Sequence, residues 1–138
     1  MKTARCELTV IVLTRDEACH LFRLINSFEK VSCRIVIVDS GSTDGTPELA
    51  RSLGAEVISH PFENHAAQFN WALDHIPIDS PWTMRMDADE YLTPELADEL
   101  SQILPTALTR IGGFEIRRRI FFWGRWIRHG GYYPTKLL

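Results

Sequence analysis

The 138-residue sequence predicts an α/β protein: a doubly wound, mainly parallel sheet with an antiparallel extension on its C-terminal side. Two observations carry this reading. Four apolar, largely β-branched runs alternate with four helix patterns, and strands that alternate with helices in this way pair in parallel, because each crossover helix returns the chain to the same end of the sheet. After Leu104 the pattern changes to "GGFEIRRRIFFWGRWIRHGGYYP", whose glycine punctuation and aromatics suggest antiparallel strands and a loop.

In chain order, "LTVIVL" at 8–13 is a continuous apolar run of buried-strand type. Thr14-Arg15-Asp16-Glu17 has capping-box spacing ahead of Ala18, Leu21, Phe22, Ile25 and Phe28, the apolar face of a first helix. "RIVIVD" at 34–39 is the second buried strand. Thr46-Pro47-Glu48 follows as an N-cap with proline at the first helical position, and Gly54 closes that helix. "AEVIS" at 55–59 is a weaker third strand, and Asn64 caps a third helix running to His75. "WTMRM" at 82–86 is the fourth strand, and Thr93-Pro94-Glu95 opens the fourth helix. Met84 and Met86 read as core residues, and Trp71 as packing the third helix onto the sheet.

An apolar content of 45% over this length supports one respectable core, so a single domain is expected, with 1–109 as its α/β part and 110–138 as a basic aromatic extension. The net charge of −3 conceals this division. Residues 1–109 hold 8 Lys and Arg against 17 Asp and Glu, whereas 110–138 hold 7 against 1. Cys6, Cys19 and Cys33 are odd in number and lack metal-site spacing, which points to reduced thiols and a cytoplasmic protein. The N-terminal "MKTARCELTVIVLTRDE" has an apolar run of only about six residues, too short for a signal peptide or a spanning helix.

Open parallel sheets bind ligands beyond the carboxyl ends of their strands, and the polar clusters fall there. They are Thr14 to Glu17 after the first strand, "DSGSTDGT" at 39–46 after the second, and Asp87, Asp89 and Glu90 after the fourth. Acidic clusters on one rim repel one another, and a divalent cation with a phosphorylated ligand would relieve the repulsion. In extended backbone Asp87 and Asp89 point the same way, and their hard oxygens suit Mg²⁺ or Mn²⁺. Chance alone yields about 0.5 Asp-x-Asp triplets in such a chain, so position rather than the motif carries the argument. A solvated turn with Glu90 near a helix start is the alternative.

"DSGSTDGT" is neither a P-loop nor a dinucleotide fingerprint. Most of its residues suit a β-to-α turn, but Asp39 ends an apolar strand and could accept hydrogen bonds from a nucleobase or ribose edge, with Ser40 adding a hydroxyl. His60, His65 and His75 match no common zinc spacing and read as loop and helix residues, His65 being the one placed to touch a ligand.

"VIVLTRDEA", "IVIVDSGSTDGTPELARSLGAEV", "NHAAQFNWAL" and "MRMDADEYLTPEL", in that order and spacing, resemble glycosyltransferase family 2, the inverting enzymes of GT-A fold, over residues 8–104. The tail "FFWGRWIRHGGYYPTKLL" is similar to the branch that includes lipopolysaccharide core glucosyltransferases. The resemblance implies metal-assisted transfer of a sugar, glucose foremost, from a nucleotide diphosphate sugar, UDP-sugars first, to a lipopolysaccharide-core or other glycan acceptor, with Mg²⁺ or Mn²⁺. It further implies that Thr14, Arg15, Glu17, Asp39 and Ser40 embrace base and ribose, and that His65, Gln68 and Asn70 flank the nucleotide-sugar pocket from the third helix. Asp87 would approach ribose or metal, and Asp89 would bind the metal bridging the diphosphate.

The chain departs from the family pattern in places. Ser40 stands where many relatives carry a second Asp. Arg85 stands where an apolar residue is commoner, and an arginine inside a buried strand demands a carboxylate or phosphate partner. The family's catalytic base, an Asp or Glu, comes from beyond the metal motif, yet nothing after Glu115 is acidic. The chain therefore reads as the donor-binding part of a longer enzyme or a shortened natural form, with its base outside. Arg117, Arg118, Arg119, Arg125 and Arg128 with Phe121, Phe122, Trp123 and Trp126 could meet an anionic lipid-linked acceptor at the membrane surface, nucleic acid, or a further region of protein. The resemblance points to the first, a peripheral contact through 117–128 at the inner face of the membrane, with no nucleic-acid partner. A nucleotidyltransferase should carry a Gly-rich, Arg/Lys-containing loop where "TRDEA" has no glycine. A non-catalytic nucleotide-sugar-binding module would keep Asp39 and Asp89 and lack a base.

Overall fold

The computed structural model describes residues 6–107, 109–131 and 133–137; residues 1–5 of the N-terminal segment, and Leu108, Tyr132 and Leu138, lie outside the described residues. The chain divides into two compact units, Met1–Thr106 and Ala107–Leu138. Among the described residues, the short strands of the second unit pair with one another and do not extend the main sheet.

In the first unit β1 (Leu8–Thr14), β2 (Cys33–Asp39), β3 (Glu56–Ser59) and β4 (Trp82–Asp87) form one sheet in the order β3-β2-β1-β4. Every pairing is parallel, as the three crossover helices that join the strands require, a fourth helix following β4. These helices are α1 (Ala18–Ser27), α2 (Thr46–Ser52), α3 (His65–His75) and α4 (Pro94–Ile103). Right-handed crossovers place α1 and α2 on one face as the sheet grows toward β3, and α3 on the other as the chain returns to β4. Side chains two apart on a strand share a face, and Ile11, Val36 and Val38 accordingly form a cluster with Ala72 and Ile76 of the α3 segment. Trp71 packs against that cluster, as its sequence position predicts.

β1 and β2 are nearly continuous buried runs because both faces are covered. β4 lies at the sheet edge and is half-exposed, so Arg85 is not inside a buried strand. Its side chain is 48% exposed and pairs with Asp87 at 3.3 Å, two residues along the same strand. Met86 is buried, while Met84 is only partly so. Cys6, Cys19 and Cys33 are free thiols; burial, with Cys6 nearby, pushes the Cys33 thiol up to about 11, which leaves it protonated and inert at neutral pH.

Two helix starts follow the sequence. Asn64 accepts from the Ala67 amide at 2.8 Å and Thr93 from the Leu96 amide at 3.2 Å, each as an N-cap. Two do not. α1 has no side-chain cap of its own, because Thr14 is still in β1 and its hydroxyl donates to Asp39 instead of capping the helix. At α2 the N-cap is Gly45, at φ 86°, and Thr46 is already helical.

The second unit contains two antiparallel ladders. β5 (Ile116–Arg118) pairs with β8 (Thr135–Leu137), and β6 (Phe121–Phe122) pairs with β7 (Arg125–Trp126). Trp123 and Gly124, at φ 51° and 72°, make the two-residue turn of the second hairpin, where positive φ at both positions matches strand twist. Two guanidinium groups stack on the indole of Trp126, Arg119 at 4.7 Å and Arg128 at 4.2 Å from its centroid.

Candidate functional site

Strand register fixes what meets at the carboxyl edge. Thr14 is level with Asp39 on one side of β1, and Leu13 is level with Asp87 on the other. The ends of β2 and β4 therefore flank the end of β1, with about 10 Å between their backbones, two strand spacings. The loops leaving these strands share one rim.

At β2 the rim is internally satisfied. Asp39 is 3% exposed, and its carboxylate accepts four hydrogen bonds. These come from the Thr14 hydroxyl at 2.8 Å, the Ser42 hydroxyl, the Gly41 amide at 3.0 Å and the Ser42 amide at 2.9 Å. Burial by itself pushes this carboxyl up, but the donors from Ser42, Thr14 and Gly41 together outweigh it and hold the acid below its ordinary range. Four acceptor positions are all a carboxylate has, so a base or ribose contact by Asp39 requires exchanging one of these donors. The Thr14 and Ser42 hydroxyls are the donors that can rotate away, whereas the two backbone amides are fixed.

Ser40 and Gln68, both predicted site residues, are brought together. The Gln68 amide group donates to the Ser40 hydroxyl at 3.1 Å and to the His60 carbonyl at 3.2 Å, and its oxygen lies 2.7 Å from His60 Nδ1. Gln68 is 1% exposed, so α3 is tied to the end of β2 by a buried amide. Asn70 does not join it. Two residues along a helix are about 200° apart, and Asn70 is exposed on the outer side of α3. His65, the first residue of α3, is exposed and meets the Phe62 ring edge-on at 5.2 Å. Arg15 is exposed beside the rim, and Glu17, half-buried, lies 3.8 Å from His20.

At β4 the rim is open. The strand ends at Asp87, and the Glu90 amide donates to the Asp87 carbonyl at 3.0 Å, closing a turn through Ala88 and Asp89. The two aspartates are thus presented by a tight turn, not by the extended backbone that the sequence suggests. The buried Ala88 anchors that turn, and Glu90 folds back to accept the Asp87 amide at 3.0 Å. The Asp89 carboxylate is exposed and has no hydrogen-bond or ion-pair partner among the described residues. No group of three or more His, Cys, Asp or Glu gathers as a metal site among the described residues. Two carboxylates with a diphosphate are nevertheless a donor set that Mg²⁺ and Mn²⁺ accept, because Mg²⁺ is ordinarily held by one or two carboxylates plus substrate phosphates. Asp87 and Asp89 fit that chemistry.

Sequence reasoning missed the links between the first two loops. The Asp16 amide donates to the Ser42 hydroxyl at 2.8 Å and the Glu17 amide to the Thr46 hydroxyl at 2.9 Å. The only visible signal is the spacing of Ser, Thr and Asp in "DSGSTDGT", which cannot say which loop they will serve.

Comparison with known proteins fits this geometry. The Glycosyl transferase family 2 profile matches residues 9–129, and the chain belongs to that family. The lipopolysaccharide core biosynthesis glycosyltransferase LpsC of Rhizobium meliloti is 34% identical over 122 residues, covering 85% of this chain and 44% of LpsC. An uncharacterized glycosyltransferase of Rickettsia bellii is 36% identical over 97 residues, covering 70% of this chain and 32% of the relative. The chain thus spans about a third to under half of the length of these relatives. Among solved structures, the mannosyltransferase PcManGT of Pyrobaculum calidifontis, in complex with GDP-Man and Mn²⁺, superposes with a TM-score of 0.54 at 26% identity, over 72% of this chain and 32% of that one. Staphylococcus aureus TarS 1–349 superposes at 0.52 and 23% identity, over 67% of this chain and 30% of that one. The fold is of GT-A type.

Proposed function

We propose that this chain is the donor-binding part of an inverting glycosyltransferase that takes a sugar from a nucleotide diphosphate sugar, a UDP-sugar first, and passes it to a lipopolysaccharide-core or other lipid-linked glycan. The observation that carries the reading is the open acidic turn of Asp87 and Asp89 beside the Thr14–Asp39 rim in a family 2 chain. LpsC supports the acceptor class, and PcManGT, solved with GDP-Man and Mn²⁺, supports a nucleotide-sugar donor with a divalent cation.

In this reading Thr14, Arg15, Glu17 and Ser40 line the base and ribose side, and Asp39 shapes the loop that receives them. His65 faces the sugar side of the pocket. Asp87 and Asp89 would hold Mg²⁺ or Mn²⁺, which when bound neutralises charge on the leaving diphosphate. Inversion needs the acceptor hydroxyl to attack the anomeric carbon from the face opposite the diphosphate and to lose its proton to a base, a contribution of about 10² to 10⁴-fold. The only carboxylate after Leu104 in these residues is Glu115. The chain by itself is therefore expected to bind donor and release nucleoside diphosphate slowly by hydrolysis.

The tail reads as the acceptor-side contact. Its hairpin carries Phe121, Phe122 and Trp123 at 53%, 64% and 90% exposure, with Arg117, Arg118, Arg119, Arg125 and Arg128 near them in sequence, a combination suited to an anionic lipid surface. No helix among the described residues is long and apolar enough to cross a membrane; the exposed aromatics and the arginines are what support the peripheral contact at the inner face that we propose.

The test is to incubate the chain with Mn²⁺, UDP- and GDP-sugars and a deacylated lipopolysaccharide core, following glycosylated product and free nucleoside diphosphate separately. Binding with slow diphosphate release is expected. Robust acceptor glycosylation would place the base within these residues and make Glu115 the first to replace; failure of every nucleotide sugar to bind would overturn the reading.

A further inference from the structure

We propose that Asp16 and Asp44 form a reciprocal clasp that locks the loops after β1 and β2 into one body, making both positioning residues for the nucleotide. This deepens the proposed donor site and rests on it. Each loop lends a carboxylate to the other's backbone. Asp16, in the first loop, accepts the Thr43 amide of the second at 2.7 Å. Asp44, in the second, accepts the Ala18 amide of the first at 3.0 Å. Two hydroxyls complete the exchange. Ser42 accepts the Asp16 amide while donating to Asp39, and Thr46 accepts the Glu17 amide while donating to Asp44.

The arrangement accounts for two features of the loops. α1 has no side-chain cap within its own loop, yet its first amide is capped from across the rim by Asp44, which also holds the Thr46 amide at the start of α2 at 3.0 Å. Asp16 sits at φ 54°, a left-handed conformation that costs a non-glycine residue energy, and there its amide and carboxylate both face the neighbouring loop. Asp44 is held below the ordinary carboxylate range by the Thr46 hydroxyl first and the Ala18 amide next, so it stays ionised as an acceptor at neutral pH. Arg15 and Glu17 flank Asp16, and Ser40 leads into the second loop. Opening the clasp thus displaces site residues without deleting one.

The chemistry of asparagine separates this role from a charge-based contact. Asp16 uses one oxygen, Oδ1, toward Thr43, so Asp16→Asn can keep the bond. Asp44 uses both oxygens, so Asp44→Asn must turn an amide NH₂ toward one backbone N–H. UDP affinity with Mn²⁺ is measured by calorimetry, alongside hydrogen exchange at the Ala18 and Thr43 amides. Asp16→Ala and Asp44→Asn are expected to weaken binding on the order of tenfold, Asp16→Asn to remain within about twofold, and the double alanine variant to lose less than the sum of the singles. Asp16→Ala should also deprotect Ala18, in the loop whose carboxylate partner is untouched. Independent protection of the two loops, or equal losses for Asp16→Asn and Asp16→Ala, would overturn the clasp. Because exchange is measured without nucleotide, coupled protection in a parent chain that binds no UDP would still support the clasp and would refute only the donor-site reading.

Discussion

The carboxylates at the end of β2 and those at the end of β4 stand on one rim but live under opposite conditions. Asp39 is buried and spends all its acceptor capacity on its own loop and the end of β1, whereas Asp89 is exposed and spends none among the described residues. A buried ionised acid is tolerated only when fully hydrogen-bonded, and an exposed one beside another acid is tolerated because water screens it. The difference teaches which acid builds the rim and which keeps its acceptors open for the ligand proposed above. Asp39 is a structural hub, and the Asp87–Asp89 turn is where a cation can enter without dismantling the fold.

The comparison breaks most visibly at Asp39. Asp39→Ala leaves the Thr14 hydroxyl and the Gly41 and Ser42 amides without their acceptor, and should cost about 3 kcal/mol of stability in denaturant unfolding, against less than about 0.5 kcal/mol for Asp89→Ala. Similar losses at the two positions would erase the distinction drawn between them.

A pH titration sharpens it. The folded pKa of Asp39 lies below its unfolded value near 3.9, so its contribution is fully present above about pH 4 and is lost as pH falls through the folded pKa. Asp39→Asn should therefore flatten the acid limb of stability relative to the parent. Coincident slopes below pH 4 would show that the hydrogen bonds do not favour the ionised form.

The smallest effect is expected at Arg85. Its pair with Asp87 is about half-exposed on both sides, so Arg85→Ala should change stability by less than about 1 kcal/mol, and salt should shrink the difference further. A loss well above that would mean that Arg85 does more than cover Asp87.

Much of the fold was legible because periodicity and caps are local. Val10 to Leu13, Ile35 to Val38 and the caps at Asn64 and Thr93 follow from residue type and spacing alone. The errors arose where the partner is distant. Thr14 has capping-box spacing, but β2 brings Asp39 within 2.8 Å of its hydroxyl, and that bond is the one it makes. Arg85 looked buried because an edge strand and a central strand read alike over six residues. The resemblance implies that Asn70 flanks the nucleotide-sugar pocket with Gln68, but helical geometry turns it about 200° from Gln68 to the exposed side of α3. The acidic turn itself was legible in its composition, while its exposure, and the saturation of Asp39 beside it, became visible only with the register of β1 against β2 and β4.

The assignment of the open turn as the metal–diphosphate site is tested most directly by the Mn²⁺ dependence of UDP affinity in Asp89→Ala. Calorimetric titrations of parent and variant with and without Mn²⁺ suffice. Mn²⁺ should tighten UDP binding to the parent by about tenfold or more, roughly 1.4 kcal/mol, and should leave Asp89→Ala unchanged while its melting transition matches the parent's. A variant that retains the full Mn²⁺ enhancement would contradict that assignment.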